Sequence, residues 1–140
     1  MKENVKGNMN EQNEYLLLFR STAWYDKLSP EQVDQAMERF KVWYDQLNEQ
    51  GKLKAAQPLA REGAIVSRKS GKVLSDGPFA ESKEAIGGYF LVQVDSLDEA
   101  IGIAKASPAV EYGVEVEVRP IAAECPLMAR AREISREVLV

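Results

Sequence analysis

The chain has 140 residues, 45% of them apolar and 29% charged, a length and balance that fit one globular domain with a core of its own. Its net charge of −4 argues against the broad basic surface that general nucleic-acid or anionic-membrane binding requires. With no histidine and a single cysteine, Cys125, neither the usual zinc sites nor an internal disulfide can be assembled.

No run reaches the roughly 18 apolar residues of a membrane span, and Met1-Lys2-Glu3-Asn4 begins no apolar signal region, so a cytoplasmic location is expected. Residues 1–14 are polar and predict a loose arm. Tyr15-Leu16-Leu17-Leu18-Phe19 is then a continuous apolar run, short enough for a strand and apolar on both faces, as a central sheet position demands. Trp24-Tyr25-Asp26 follows in a loop, where its aromatics serve either as a lid on the core or as a pocket wall.

Ser29-Pro30-Glu31-Gln32 predicts a helix start: Ser29 caps, Pro30 suits the first position and Gln32 completes a capping box. Val33, Ala36, Met37, Phe40, Trp43, Tyr44 and Leu47 form one apolar stripe read as core, and Gly51 supplies the stop. Leu53 to Leu59 and Ala64 to Arg68 are strand candidates, the second joined through Ser70-Gly71 to Lys72-Val73-Leu74 as a hairpin. Arg68, Lys69 and Lys72 make its tip positive, which a solvated end explains and phosphate binding would also use.

Tyr89 to Val94 is a second apolar run and a second central strand. Ser96-Leu97-Asp98-Glu99 repeats the capping logic, with Leu97, Ala100, Ile101 and Ala104 as a shorter stripe ending at Ser107-Pro108. Gly102 inside that helix suggests close packing. Val114 to Arg119 alternates strictly and predicts an edge strand with Glu115, Glu117 and Arg119 on its wet or site-facing side. Pro126 to Val140 predicts a helix with Leu127, Ala131, Ile134 and Val138 on one side and a solvated face of Arg130, Arg132, Arg136, Glu133 and Glu137 on the other.

Between the hairpin and the second central strand lies Ser75 to Gly88, rich in turn-formers. Asp76-Gly77 is a turn pair and Pro78 stiffens it, so Asp76, Phe79, Glu81, Lys83 and Glu84 can be held at fixed angles, as binding or proton transfer requires. The plainer reading is a strand connection with Phe79 as a core plug. Asp76-Gly77-Pro78-Phe79, with Ala80 to Glu84 and Gly87-Gly88-Tyr89-Phe90, resembles the signature of the DGPF-domain branch of the YCII-related family, small and mainly bacterial proteins. The resemblance extends to Tyr15–Phe19, to the helix starts at Leu28–Glu31 and Val94–Ala100, and to the last strand at Val114–Ile121.

The element order is βαββαβ, with full apolar runs first and third, matching the two central strands of a ferredoxin-like antiparallel sheet with helices on one face. The other face needs a cover. The resemblance implies that a second copy provides it, in a homodimer of the dimeric α+β-barrel kind. The expected organisation is an arm over 1–14, the α+β domain over 15–121 and a C-terminal helical extension over 122–140.

Two functional readings follow. The first is a small-molecule-binding or regulatory module with a pocket beside the Asp76–Phe79 loop, its candidate ligand-binding residues being Arg20, Trp24, Asp76, Gly77, Pro78, Phe79, Glu81, Tyr89 and Arg119. The second is a cofactor-independent enzyme with Asp76 as acid/base. Arg20, Arg119 and Glu81 would then be charge partners, Tyr89 or Tyr25 proton donors, and Phe79 and Trp24 walls. The His-Asp pair proposed for some YCII-related proteins cannot form here, because the chain has no histidine. No metal or cofactor is implied. The resemblance suggests a regulatory association with transcription, while the C-terminal helix offers a surface to a protein partner.

Overall fold

The structure, a computed structural model, describes residues 13–76 and 85–139. In chain order it contains β1 (Glu14–Arg20), α1 (Pro30–Glu49), β2 (Leu53–Pro58), β3 (Ile65–Lys69), β4 (Lys72–Asp76), β5 (Gly88–Gln93), α2 (Leu97–Lys105), α3 (Pro108–Glu111), β6 (Glu115–Pro120) and α4 (Pro126–Leu139). The two apolar runs take the middle of a four-stranded antiparallel sheet of order β2-β5-β1-β6, as their lack of a polar face requires. This is a ferredoxin-like order. Strands β3 and β4 form a separate two-stranded sheet inserted between β2 and β5, and their turn uses positive φ at Ser70 and Gly71.

Leu17 pairs with Phe90 on one side and Val118 on the other, so these three share a sheet face with Tyr15, Val92 and Val116. Against it pack Trp43 and Leu47 of α1 and Ala100, Ile103 and Ala104 of α2, enclosing a core in which Leu17 and Val92 are 0% exposed. The indole N–H of Trp43 donates to the Ile103 carbonyl at 3.2 Å, tying the helices together where an unpaired buried N–H would be costly. On the opposite face lie the half-buried Leu16, Leu18 and Leu91 beside the polar side of β6, and no described helix packs substantially there.

The capping box at Ser29 is formed: Gln32 N–H donates to Ser29 Oγ at 3.2 Å and Ser29 N–H donates to Gln32 Oε1 at 2.9 Å. Helix α1 is capped at its C-terminus by Gln50, followed by Gly51 at φ 71°. Its apolar stripe is wider than its contact with the sheet. Ala36, Phe40, Trp43 and Leu47 lie within one narrow sector, whereas Val33, Met37 and Tyr44 sit on a flank and are exposed. In α2 the buried set is Ala100, Ile103 and Ala104, with Leu97 turned to solvent.

Gly102 does not mark close packing: it is exposed, and an added Cβ would meet nothing within 4 Å. Ser107-Pro108 begins a further short helix as well as closing α2, with Ser107 Oγ accepting from Ala109 N–H at 3.2 Å. Asp76 is the last paired residue of β4, opposite Ile65, so the backbone is extended there where a turn was expected. Strand β2 carries a bulge, because Leu53 faces Val92 and Ala55 faces Leu91, leaving Lys54 as the extra residue.

Candidate functional site

At the end of the sheet where β1 and β2 finish and β5 begins, residues of the strands, of α1 and of the turn before it line a cavity of about 340 Å³. That volume falls within the range of small-ligand sites. Phe19, Ser21 and Thr22 continue from β1, Ala56 to Leu59 come from the end of β2, and Gly87 to Phe90 enter with β5. Helix α1 contributes Phe40 and Tyr44, and the turn before it contributes Trp24 and Tyr25.

The walls are fixed by ring contacts. The Trp24 ring centroid lies 5.9 Å from Phe40, 5.2 Å from Tyr112 and 5.5 Å from Tyr25, the last edge-on. Phe90 stacks on Trp43 at 4.8 Å and meets Tyr44 edge-on at 6.1 Å. Such offset and edge contacts hold aromatic walls in place before any ligand arrives.

The floor depends on Gly87, whose N–H donates to the Phe19 carbonyl at 2.7 Å while its own carbonyl accepts from Leu59 N–H at 2.9 Å. The backbones approach so closely that an added Cβ would lie 2.0 Å from the Ser21 carbonyl oxygen, so this position needs glycine for space. Leu59 and Gly87 are thus where the segment carrying Asp76 to Phe79 leaves the pocket rim and rejoins it.

No Asp, Glu, Lys or Arg is among the described residues lining the cavity. Beside the lining residue Tyr25, Arg61 grips Asp26 with Nη2–Oδ1 at 2.6 Å and Nη1–Oδ2 at 2.9 Å. Its guanidinium carbon also sits 4.9 Å from the centre of the Tyr25 ring. The hydrogen bond from Arg61 holds the Asp26 carboxyl below its ordinary value, so this pair is fully charged and self-neutralised at neutral pH. Among the described residues no cluster of three or more His, Cys, Asp or Glu is placed to hold a metal ion.

Of the candidate residues, Trp24 and Tyr89 line this cavity and Tyr25 stands beside them. Arg20 and Arg119 do not reach it. They converge on Glu117, at 2.7 Å and 3.3 Å, on the opposite sheet face, and both lower the Glu117 carboxyl, Arg20 more strongly. The Asp76 side chain, Gly77, Pro78, Phe79 and Glu81 lie outside the described residues. Phe19, Phe40, Tyr44 and Phe90 read from sequence as core. Their part in a cavity was signalled only weakly, by aromatics at 40 and 44 spaced one helical turn apart on the edge of the α1 stripe.

A model of the YCII-related domain matches residues 9–123, most of the chain. The chain belongs to the YCII-related family. This YCII-related protein is also 45% identical over 51 residues, 36% of its length, to an uncharacterised protein of Rhizobium meliloti. The match spans 41% of that relative. Among solved structures it is similar to the 5-chloro-2-hydroxyhydroquinone dehydrochlorinase of Burkholderia phenoliruptrix in complex with 2,5-dihydroxybenzoquinone, with a TM-score of 0.41 and 13% identity. That similarity covers 78% of this chain and 93% of the dehydrochlorinase. No helix among the described residues is long and apolar enough to cross a membrane.

Proposed function

We propose that this YCII-related protein is a small-molecule-binding module whose site is the cavity beneath Trp24, and that the bound molecule is a flat, uncharged, largely apolar ring system. The carrying observation is an aromatic wall with no charged residue among the described lining. A buried charge on the ligand would go unpaired there, at a cost that ring stacking does not offset. An apolar cavity of about 150 Å³ takes one benzene ring, so about 340 Å³ admits two fused rings with a small polar substituent. The same absence of carboxylate or ammonium from the described walls favours binding over acid/base catalysis.

The test is a fluorescence titration with 2-naphthol and 2-naphthoate, followed on the intrinsic tryptophans. The phenol should bind at least about tenfold more tightly than the carboxylate, a difference of about 1.4 kcal/mol. Trp24→Ala should weaken the phenol by a similar factor. Equal affinity for both compounds, or indifference to Trp24→Ala, removes the reading.

The unit is proposed to be a homodimer joined through the open sheet face. Leu16, Leu18 and Leu91 lie on that face, the charged network of Arg20, Glu117 and Arg119 forms its β6 border, and an apolar sheet face of this kind needs a cover. Light scattering at micromolar concentration should return twice the monomer mass; a monomer mass refutes it.

A further inference from the structure

We infer that Arg61 sets the size limit of the cavity by holding the Tyr25 ring in place, so that the site takes two fused rings and turns away three. The inference rests on the binding reading proposed above and names the residue that selects ligands by size. Of the two aromatics that the turn before α1 gives to the lining, Trp24 is anchored by rings outside that turn, its centroid lying 5.9 Å from Phe40 and 5.2 Å from Tyr112. Tyr25 is held differently. It is 45% exposed, and its ring contacts among the described residues are Trp24, edge-on at 5.5 Å, and the Arg61 guanidinium, whose carbon lies 4.9 Å from the ring centre. The turn's own backbone bonds, from Asp26 N–H to the Ala23 carbonyl and from Leu28 N–H to the Tyr25 carbonyl, shape the turn without tying it to another element.

Arg61 supplies that tie. It follows closely on Leu59, a lining residue whose N–H donates to the Gly87 carbonyl at 2.9 Å and so belongs to the fixed floor. From there its fork reaches across 35 positions of sequence to make both bonds to Asp26, the residue next to Tyr25. Two parallel bonds and a cation over the ring fix direction as well as distance, which a planar guanidinium does and a point charge does not. The pair is 37% and 47% exposed, so its effect on overall stability is small. What it governs is where the Tyr25 ring stands. By the measure that gives two fused rings room in about 340 Å³, a third ring needs a wall to retreat, and Tyr25 is the wall that one broken clamp releases. Apolar area alone makes the larger ring system the tighter ligand. A preference for the smaller one therefore reports a wall that holds.

The experiment is a fluorescence titration of the full chain with 2-naphthol and its three-ring analogue 2-anthrol. Wild type should bind 2-naphthol at least about threefold more tightly than 2-anthrol, against the order that apolar area sets. Arg61→Gln should invert that order, weakening 2-naphthol by about threefold and tightening 2-anthrol by a similar factor. Arg61→Lys keeps the charge without the fork and should not restore the wild-type order. Asp26→Asn should shift the order the same way, and adding it to Arg61→Gln should change little more, as two members of one contact require. The inference is overturned by a wild type that prefers 2-anthrol, by an Arg61→Gln variant that keeps the wild-type order or weakens both compounds alike, by a lysine that restores the order, or by an Asp26→Asn variant without effect. In each of those cases the binding reading stands as long as 2-naphthol still depends on Trp24. A wild type that binds neither compound removes both.

Discussion

Replacing Gly87 by alanine tests whether the pocket floor is as close-packed as described. The new methyl carbon would start 2.0 Å from the Ser21 carbonyl oxygen and 3.1 Å from the Ser21 carbonyl carbon, where real Cβ contacts stay beyond 3.0 Å. The obstacle is backbone and cannot swing aside, so Gly87 or the end of β1 must move by about 1 Å. That shift stretches both hydrogen bonds that hold the floor, the 2.7 Å bond to Phe19 and the 2.9 Å bond from Leu59. Two weakened bonds at about 0.5–1 kcal/mol each, with about 1–2 kcal/mol of overpacking strain, give a loss of about 2–4 kcal/mol. In a thermal melt this is about 5–15 °C for a domain of this size, and urea unfolding should show a lowered midpoint with an unchanged slope. A variant that melts within 2 °C of wild type would refute the close approach, and with it the rigid floor.

Three further outcomes are expected. Gly102→Ala places a methyl in open space inside a helix, so it should stabilise by about 0.5–1 kcal/mol in urea unfolding; a loss of stability would mean that something covers that position. Ser29→Ala removes the oxygen that accepts from Gln32 N–H and should cost about 1 kcal/mol in the same assay, with no change expected if the capping box does not form in solution. Glu99 is held below its ordinary value of 4.5 mainly by the hydrogen bond from Lys52, then by the Asp95 N–H. Because the folded value is depressed, its contribution is present above pH 4.5 and is lost as pH falls through the lowered value. Glu99→Gln should therefore flatten the acid limb of a stability-against-pH curve below about pH 4.5, and an unchanged limb would dismiss the linkage.

The sheet was legible because burial leaves its mark on strands in sequence. Tyr15 to Phe19 and Tyr89 to Val94 have no polar face, and only central positions tolerate that. Helix starts were legible because a capping box is local chemistry, complete within Ser29 to Gln32. What escaped depends on which neighbour occupies a given side. The apolar side of α1 looked uniform, and only the sheet's edge decides that Trp43 is buried while Met37 is 66% exposed. Gly102 carried a real helix penalty that sequence could register without revealing that its surroundings are empty. The pocket's aromatics had the same composition as core, and the space between them has no sequence signature. Asp76 belonged to a turn by composition, yet pairing with Ile65 extends the ladder to it.

The surplus residue in β2 makes lengthening and shortening of that border strand unequal events. Since Lys54 is accommodated before Ala55 meets Leu91, the stretch from Ala55 to Pro58 keeps step with β5 whether or not Lys54 is there, and Ala56 stays opposite Phe90. Trimming at 54 should leave the chamber's lining intact, whereas one residue added between Ala55 and Ala56 would put the following positions out of phase and bring a different side chain against Phe90. Variation in loop length among relatives can therefore leave the chamber alone on one side of a single position and remake it on the other.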